Sequence, residues 1–240
     1  MTALRIQNLH KDHGRGPVID DLNLTVESGE FVCLLGPSGC GKTTLLQLIA
    51  GLDRDYSGDI EISQRDPRVL RIGYAFQEPR LLPWRTVRDN LSLALPAGMN
   101  PNKINRFIDT VGLNEVADQY PNTLSVGMNR RVSLVRAFAI DPDLLLMDEP
   151  LVSLDAPTAR RLRTWLVKLW EARAHTVIFV THDLREAIEI GDRILFLSAS
   201  PLEVLADIPV AIERKNRNPE AIESFSTHLK TRYPSLNGLL

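Results

Sequence analysis

Gly36-Pro37-Ser38-Gly39-Cys40-Gly41-Lys42-Thr43 decides the fold, because it fits G-x-x-x-x-G-K-[ST] at every fixed position. That pattern has physical meaning only between a strand and a helix, and both are present. Phe31-Val32-Cys33-Leu34-Leu35 is a continuous apolar run, the mark of a strand buried on both faces. Thr43–Gly51 carries Leu45, Leu46, Leu48 and Ile49 on one broad face and reads as a helix. Gly39 and Gly41 let the backbone turn so that successive N–H groups point inward and cradle anionic oxygens. The helix start adds the positive end of its dipole. Lys42 supplies charge to β- and γ-phosphates, and Thr43 a hydroxyl to Mg²⁺. Cys40 occupies a free position as a small filler.

Upstream, Leu4–Leu9 and Pro17–Val26 alternate apolar and polar residues. Leu22, Leu24 and Val26 share one face at period 2, so two strands are expected around a turn at Gly14-Arg15-Gly16. Downstream, Thr86 to Ala139 is helix- and loop-rich, broken by Pro96, Pro101 and Pro121, and reads as an inserted helical lobe. Strand-like runs return at Leu144–Met147, Val177–Val180 and Ile194–Leu197. Between the first two lies a helix with Leu162, Trp165, Leu166 and Leu169 at 3- and 4-residue spacing. Strand and helix in alternation indicate an α/β fold with a parallel sheet. The stretch after Glu213 is polar and reads as a peripheral tail.

Leu144-Leu145-Leu146-Met147-Asp148-Glu149 is a second motif. A buried strand that delivers two carboxylates at its C-terminal end places them where open α/β sheets bind ligands. Asp148 suits a Mg²⁺ ion held through water, and Glu149 suits orienting or deprotonating an attacking water.

Composition excludes several alternatives. The chain has 240 residues, 28 basic against 30 acidic, and 44% hydrophobic residues, which a disordered chain would not show. A net charge of −2 and a pI near 6.2 argue against a general nucleic-acid binder. Cys33 and Cys40 cannot make a disulfide framework, so a reducing cytosol is expected. No apolar signal-like run opens the chain. The longest apolar runs fall far short of the roughly 18 residues a spanning helix needs.

Three weaker motifs acquire weight through their order. Gln77 follows Ile72-Gly73-Tyr74-Ala75-Phe76; Leu124-Ser125-Val126-Gly127-Met128 precedes the acidic strand; Ser153-Leu154-Asp155 follows it; His182 follows Val177–Val180. Together with the phosphate loop, this series resembles the ATP-binding cassette ATPases over about residues 4 to 213. The resemblance implies an α/β P-loop NTPase core with a mostly parallel central sheet, an N-terminal antiparallel β subdomain and an inserted helical subdomain at about 86–139. The cassette would span 1–213, with 214–240 as a C-terminal tail. ATP and Mg²⁺ are implied, with nucleotide contacts from Gly36, Pro37, Ser38, Gly39, Cys40, Gly41, Lys42, Thr43 and Thr44. Thr43, Gln77 and Asp148 would serve the metal, and Glu149 and His182 would be catalytic.

In this family two nucleotide domains pack head to tail with ATP between them, so a homodimer is implied. Ser125 and Gly127 would face the γ-phosphate held by the other copy, and Asp155 would lie at the dimer seam. Glu78-Pro79-Arg80-Leu81-Leu82-Pro83-Trp84-Arg85-Thr86-Val87 resembles the nitrate/sulfonate/taurine importer branch, where this region meets a membrane subunit. Leu81, Leu82 and Trp84 can be read either as that docking surface or as core of the lobe. The resemblance further implies transmembrane permease partners, a substrate-binding protein acting indirectly, no nucleic acid, and a peripheral place on the cytoplasmic face of the cell membrane.

Three positions depart from the family pattern. Val126 stands where the signature has its first glycine, and a β-branched residue tolerates positive φ poorly; Met128 replaces the usual Gln. His13 aligns with the aromatic residue that stacks on adenine, and imidazole stacks less extensively. Hydrolysis is expected to survive, slowed. Two other readings remain open: a cassette ATPase without a transport role, and a weakly hydrolysing, nucleotide-gated interaction module.

Overall fold

Alternating apolar residues build the N-terminal layer. β1 (Thr2–Asp12) and β2 (Pro17–Glu27) pair antiparallel, with Leu4 opposite Val26 and Ile6 opposite Leu24. Leu22, Leu24 and Val26 are buried, as the period-2 pattern predicts. β3 (Phe31–Leu35) is buried at every position, and α1 (Lys42–Ile49) buries Leu45, Leu46, Leu48 and Ile49. β4 (Ser57–Ile62), largely polar and not evident from the sequence, joins β1 antiparallel.

The chain continues through β5 (Ile72–Ala75), α2 (Val87–Ser92), α3 (Asn102–Thr110), α4 (Val126–Ala139), β6 (Leu144–Asp148) and α5 (Ala156–Ala172). It closes with β7 (Thr176–Thr181), α6 (Leu184–Ile190), β8 (Arg193–Leu197), β9 (Val204–Pro209) and α7 (Pro219–Arg232). This computed structural model describes residues 2–63, 70–95, 102–152, 154–172 and 175–236. Pro96, Pro101 and Ser153 of the sequence reading lie outside the described residues. Among the described residues no helix is long and apolar enough to cross a membrane.

Residue contacts divide the chain into two units, Met1–Gln64 with His175–Leu240, and Arg65–Ala174. In the first unit β7, β3 and β8 run parallel, and β9 adds antiparallel to β8. β3 and β7 are buried at every position, and β3 lies between two parallel neighbours, which explains the lack of alternation in β3 and in Val177–Val180. The stretch after Glu213, expected to be peripheral, is tied down in this unit. Arg214 Nη2 bonds Asp192 at 2.7 Å, Arg217 Nη1 donates to the carbonyls of Glu189 and Gly191, and α7 buries Ile222, Ser226 and Leu229.

In the second unit β5 and β6 run parallel. α4 lies against β5 at Gly73, where an added Cβ would stand 2.4 Å from the Ala137 carbonyl oxygen and 2.9 Å from Leu145 Cδ1. Both obstacles are buried, and one is backbone. Gly73→Ala should therefore cost about 2–3 kcal/mol through overpacking. The check is a lowered urea midpoint at unchanged m-value; an unchanged midpoint would show that α4 yields freely.

Candidate functional site

In the first unit the phosphate loop leaves β3 at Leu35. Gly41 caps α1 at φ 105°, and an added Cβ there would meet Val18 Cγ1 at 2.8 Å. Only glycine satisfies both constraints. No side chain caps α1, so its first-turn N–H groups have no internal acceptor of the usual kind. Lys42, 5% exposed, folds back and donates from Nζ to the carbonyls of Gly36 at 2.8 Å and Pro37 at 2.7 Å. Cys40 is buried beneath the loop, its Sγ 3.8 Å from Lys42 Nζ, in keeping with a filler. Ser38, Gly39 and Thr43 are exposed, whereas Pro37 and Thr44 are half-buried. A turn of N–H groups with an ammonium at its floor is built to receive oxyanions.

Strand register brings His182 to this loop. Leu35 pairs with Thr181 across the parallel β3–β7 ladder, so Gly36 and His182 are the next residues on adjacent strands, which run about 4.8 Å apart. His182 is exposed and locked between two anchors. Thr181 Oγ1 donates to Glu186 Oε2 at 2.6 Å, and Asp183 caps α6 by accepting from the Arg185 and Glu186 N–H groups. Thr181 and Glu186 escaped the sequence reading; the T-x-D-x-x-E spacing around a helix start was the available signal. His13 sits at the exposed β1–β2 turn, where Asp12 accepts from the N–H groups of Gly14 and Gly16. There it makes no hydrogen bond among the described residues.

A second register organises the other unit. Ala75 pairs with Met147, so Gln77 and Glu149 each stand two residues beyond that pair on neighbouring strands. Gln77 is exposed, Asp148 is buried at 3% exposure, and Glu149 is half-buried. Glu149 adopts φ 43°, a left-handed conformation that costs a non-glycine residue of order 1 kcal/mol or more. Tyr74 lies near Asp148; burial first, and then that carboxylate, push its phenol pKa well above the ordinary value.

α4 connects these pieces. Ser125 is its exposed N-cap and accepts from the Met128 N–H at 3.2 Å. Arg130 Nη1 donates to the Glu149 carbonyl at 3.2 Å; Arg136 donates to the carbonyls of Arg80 and Pro79, each at 2.8 Å. One helix thus holds the turn carrying Glu149 and the loop after Gln77. Gly127 faces α5, with an added Cβ only 3.3 Å from Leu154 Cδ2. Asp155 is exposed and caps α5 by accepting from the Thr158 N–H at 3.1 Å. The Thr158 hydroxyl and N–H hold its carboxyl below the usual range.

Val126 corrects one expectation. Among the described residues the non-glycine residues at positive φ are Asn8, Asp21, Arg80, Asp141 and Glu149, whereas Val126 is the first residue of α4. No glycine-type conformation is needed there, so backbone strain is absent; its side chain is 60% exposed. Trp84 is 69% exposed and Leu81 and Leu82 are half-buried, so Trp84 is not core. Asn90, 2% exposed, shapes this loop by bonding both the N–H and the carbonyl of Leu82 and the carbonyls of Arg85 and Thr86.

Comparison with known proteins gives a consistent picture. The family model described as ABC transporter matches residues 19–152. The chain is 42% identical over 216 residues to an aliphatic sulfonates import ATP-binding protein of Bacillus licheniformis, covering 87% of this chain and 85% of that one. It is 40% identical over 227 residues to a sulfate/thiosulfate import ATP-binding protein of Escherichia coli, covering 89% and 62% respectively. Among solved structures, a dimeric post-hydrolysis state of an ATP-binding cassette bound to ADP and Pi superposes with TM-score 0.76 at 30% identity. That match covers 88% of this chain and all of the other, and it supports an α/β cassette fold with a mostly parallel sheet.

Proposed function

The chain belongs to the ABC transporter family, and on that premise we propose that it is the ATP-hydrolysing, energy-coupling subunit of an importer of sulfonate-, taurine- or nitrate-like anions. The observation that carries the reading is the Leu35–Thr181 register, which sets a phosphate-cradling loop and His182 on adjacent strand ends. The likeness to sulfonate and sulfate import proteins supports the cargo class.

Each residue takes a role suited to its chemistry. The N–H groups of Gly36–Thr44 and the Lys42 ammonium hold the β- and γ-phosphates of ATP. Glu149 takes a proton from the attacking water, and His182 holds that water against the terminal phosphate. Hard oxygen donors fit Mg²⁺, and Asp148 offers a buried carboxylate for it, with Thr43 and Gln77. The ion supplies neutralisation of phosphate charge when bound. Ser125 and Gly127, at the exposed start of α4, receive the γ-phosphate held by a second copy, and Asp155 lies at that seam. His13 takes the adenine position.

Partners follow from the same reading. The pair of cassettes works peripherally on the cytoplasmic face of the membrane with separate permease subunits, and a substrate-binding protein acts through them. Trp84, 69% exposed on a loop shaped by a buried asparagine, is the permease contact. The 1–213 cassette with its 86–139 helical insertion, followed by 214–240, is the division we propose for the chain. The weakly hydrolysing alternative loses its backbone argument, because Val126 is ordinary helix. Co-expression with a candidate permease tests the reading. The chain should co-purify with it and hydrolyse Mg-ATP faster than alone, with Trp84→Ala weakening the complex. Turnover indistinguishable from background in the intact complex would overturn it.

A further inference from the structure

We propose that an open pocket of about 450 Å³ between α4 and α5 in the second unit is a binding site for a small oxyanion, separate from the nucleotide site. Its wall includes Arg131, Arg161, Trp165, Thr158 and Gly112. A volume of this order suits a small-molecule ligand.

The donor balance of the pocket points to an anion. Arg131 and Arg161 both line the recess within electrostatic range of each other, and among the described residues no carboxylate pairs with either. Burial first, and then the like charge of Arg161, pull the Arg131 guanidinium below its ordinary pKa. Its Nη1 is spent on the Val111 carbonyl at 2.9 Å, while its buried Nε has no acceptor. Trp165 is 7% exposed and its Nε1–H also lacks an acceptor, with Phe138 packed edge-on against the ring. Asp155 is the acid in electrostatic reach of Arg161, but the Thr158 hydroxyl and N–H occupy its carboxylate. What remains is a recess walled by two guanidinium side chains, with no carboxylate among its lining residues. Sulfate, phosphate or a sulfonate headgroup offers the acceptor oxygens and the charge that it lacks.

The site stands apart from the nucleotide reading and survives its failure. The test uses the full chain, ¹⁵N-labelled, with saturating ADP to occupy the phosphate loop. Sodium sulfate, phosphate and ethanesulfonate are titrated separately at ionic strength held constant with chloride. The readout is the Trp165 indole ¹H–¹⁵N signal, assigned through Trp165→Phe. A saturable shift is expected, weakened about tenfold or more in Arg161→Gln. Arg161 is exposed, so the variant should keep its fold, verified by an unchanged urea midpoint. Tightest binding of sulfate or ethanesulfonate would make the ligand a sulfur oxyanion; tightest binding of phosphate would make it a phosphate, and each supports the site. No saturable shift with any of the three, or a shift undiminished in Arg161→Gln, overturns it.

Discussion

Lys42→Ala should lower ATP affinity about a hundredfold, the equivalent of roughly 3 kcal/mol from one or two charge-assisted hydrogen bonds. The argument rests on where the side chain is. The residue is 5% exposed and its ammonium is bonded to the carbonyls of Gly36 and Pro37, at the floor of a loop whose helix start has no side-chain cap. Two neutral carbonyls compensate a buried cation poorly, and phosphate oxygens compensate it well, so the group gains most when nucleotide is present. Lys42→Arg keeps the charge but replaces a compact ammonium by a planar fork. It should rank between wild type and alanine. Calorimetric titration with ATP decides the matter, and unchanged affinity in the alanine variant would refute the phosphate role. Because the lost bonds to Gly36 and Pro37 also staple the loop, urea denaturation should accompany the titration to separate binding from folding.

The phosphate loop was legible because its spacing is backbone geometry written directly as residue types. Gly41 must be glycine at φ 105° and against Val18, and a fixed interval to Lys42 follows from the helix it opens. The apolar runs of β3 and of Val177–Val180 in β7 were legible for a similar reason, since burial on both faces favours apolar residues without alternation. The ties that position the site were not. Arg130 to the Glu149 carbonyl and Arg136 to the carbonyls of Pro79 and Arg80 join residues 19 to 57 apart, and local pattern carries no record of such partners. The sequence showed arginines on a helix and could not show what they held. α7 was missed because its polar composition masks a narrow buried stripe at Ile222, Ser226 and Leu229. At Val126 the residue type was read correctly but its backbone was inferred from a glycine in relatives, and a glycine can be selected for closeness to a ligand rather than for φ.

Glu149→Gln should reduce ATP turnover about a thousandfold, within the range expected for loss of a general base, while leaving ATP binding intact. Glutamine matches glutamate in shape, and the residue's left-handed backbone at φ 43° is held from outside by Arg130 on its carbonyl. The turn therefore has no reason to move, and the change is confined to proton acceptance. The consequence for assembly follows from linkage. In the proposed arrangement ATP contacts both the loop of one copy and the exposed α4 N-cap of the other, so it would favour the paired state by its differential affinity, and hydrolysis would remove that preference. Blocking the chemical step leaves the shared ligand in place, so the variant with Mg-ATP should elute as a dimer in size-exclusion chromatography while wild type returns to monomer. Adding Ser125→Glu to that variant places negative charge against the incoming phosphate and should restore the monomer without weakening nucleotide binding to the single copy. A Glu149→Gln protein that stays monomeric with bound Mg-ATP would sink the shared-ligand arrangement, and full turnover in it would remove Glu149 from the chemistry.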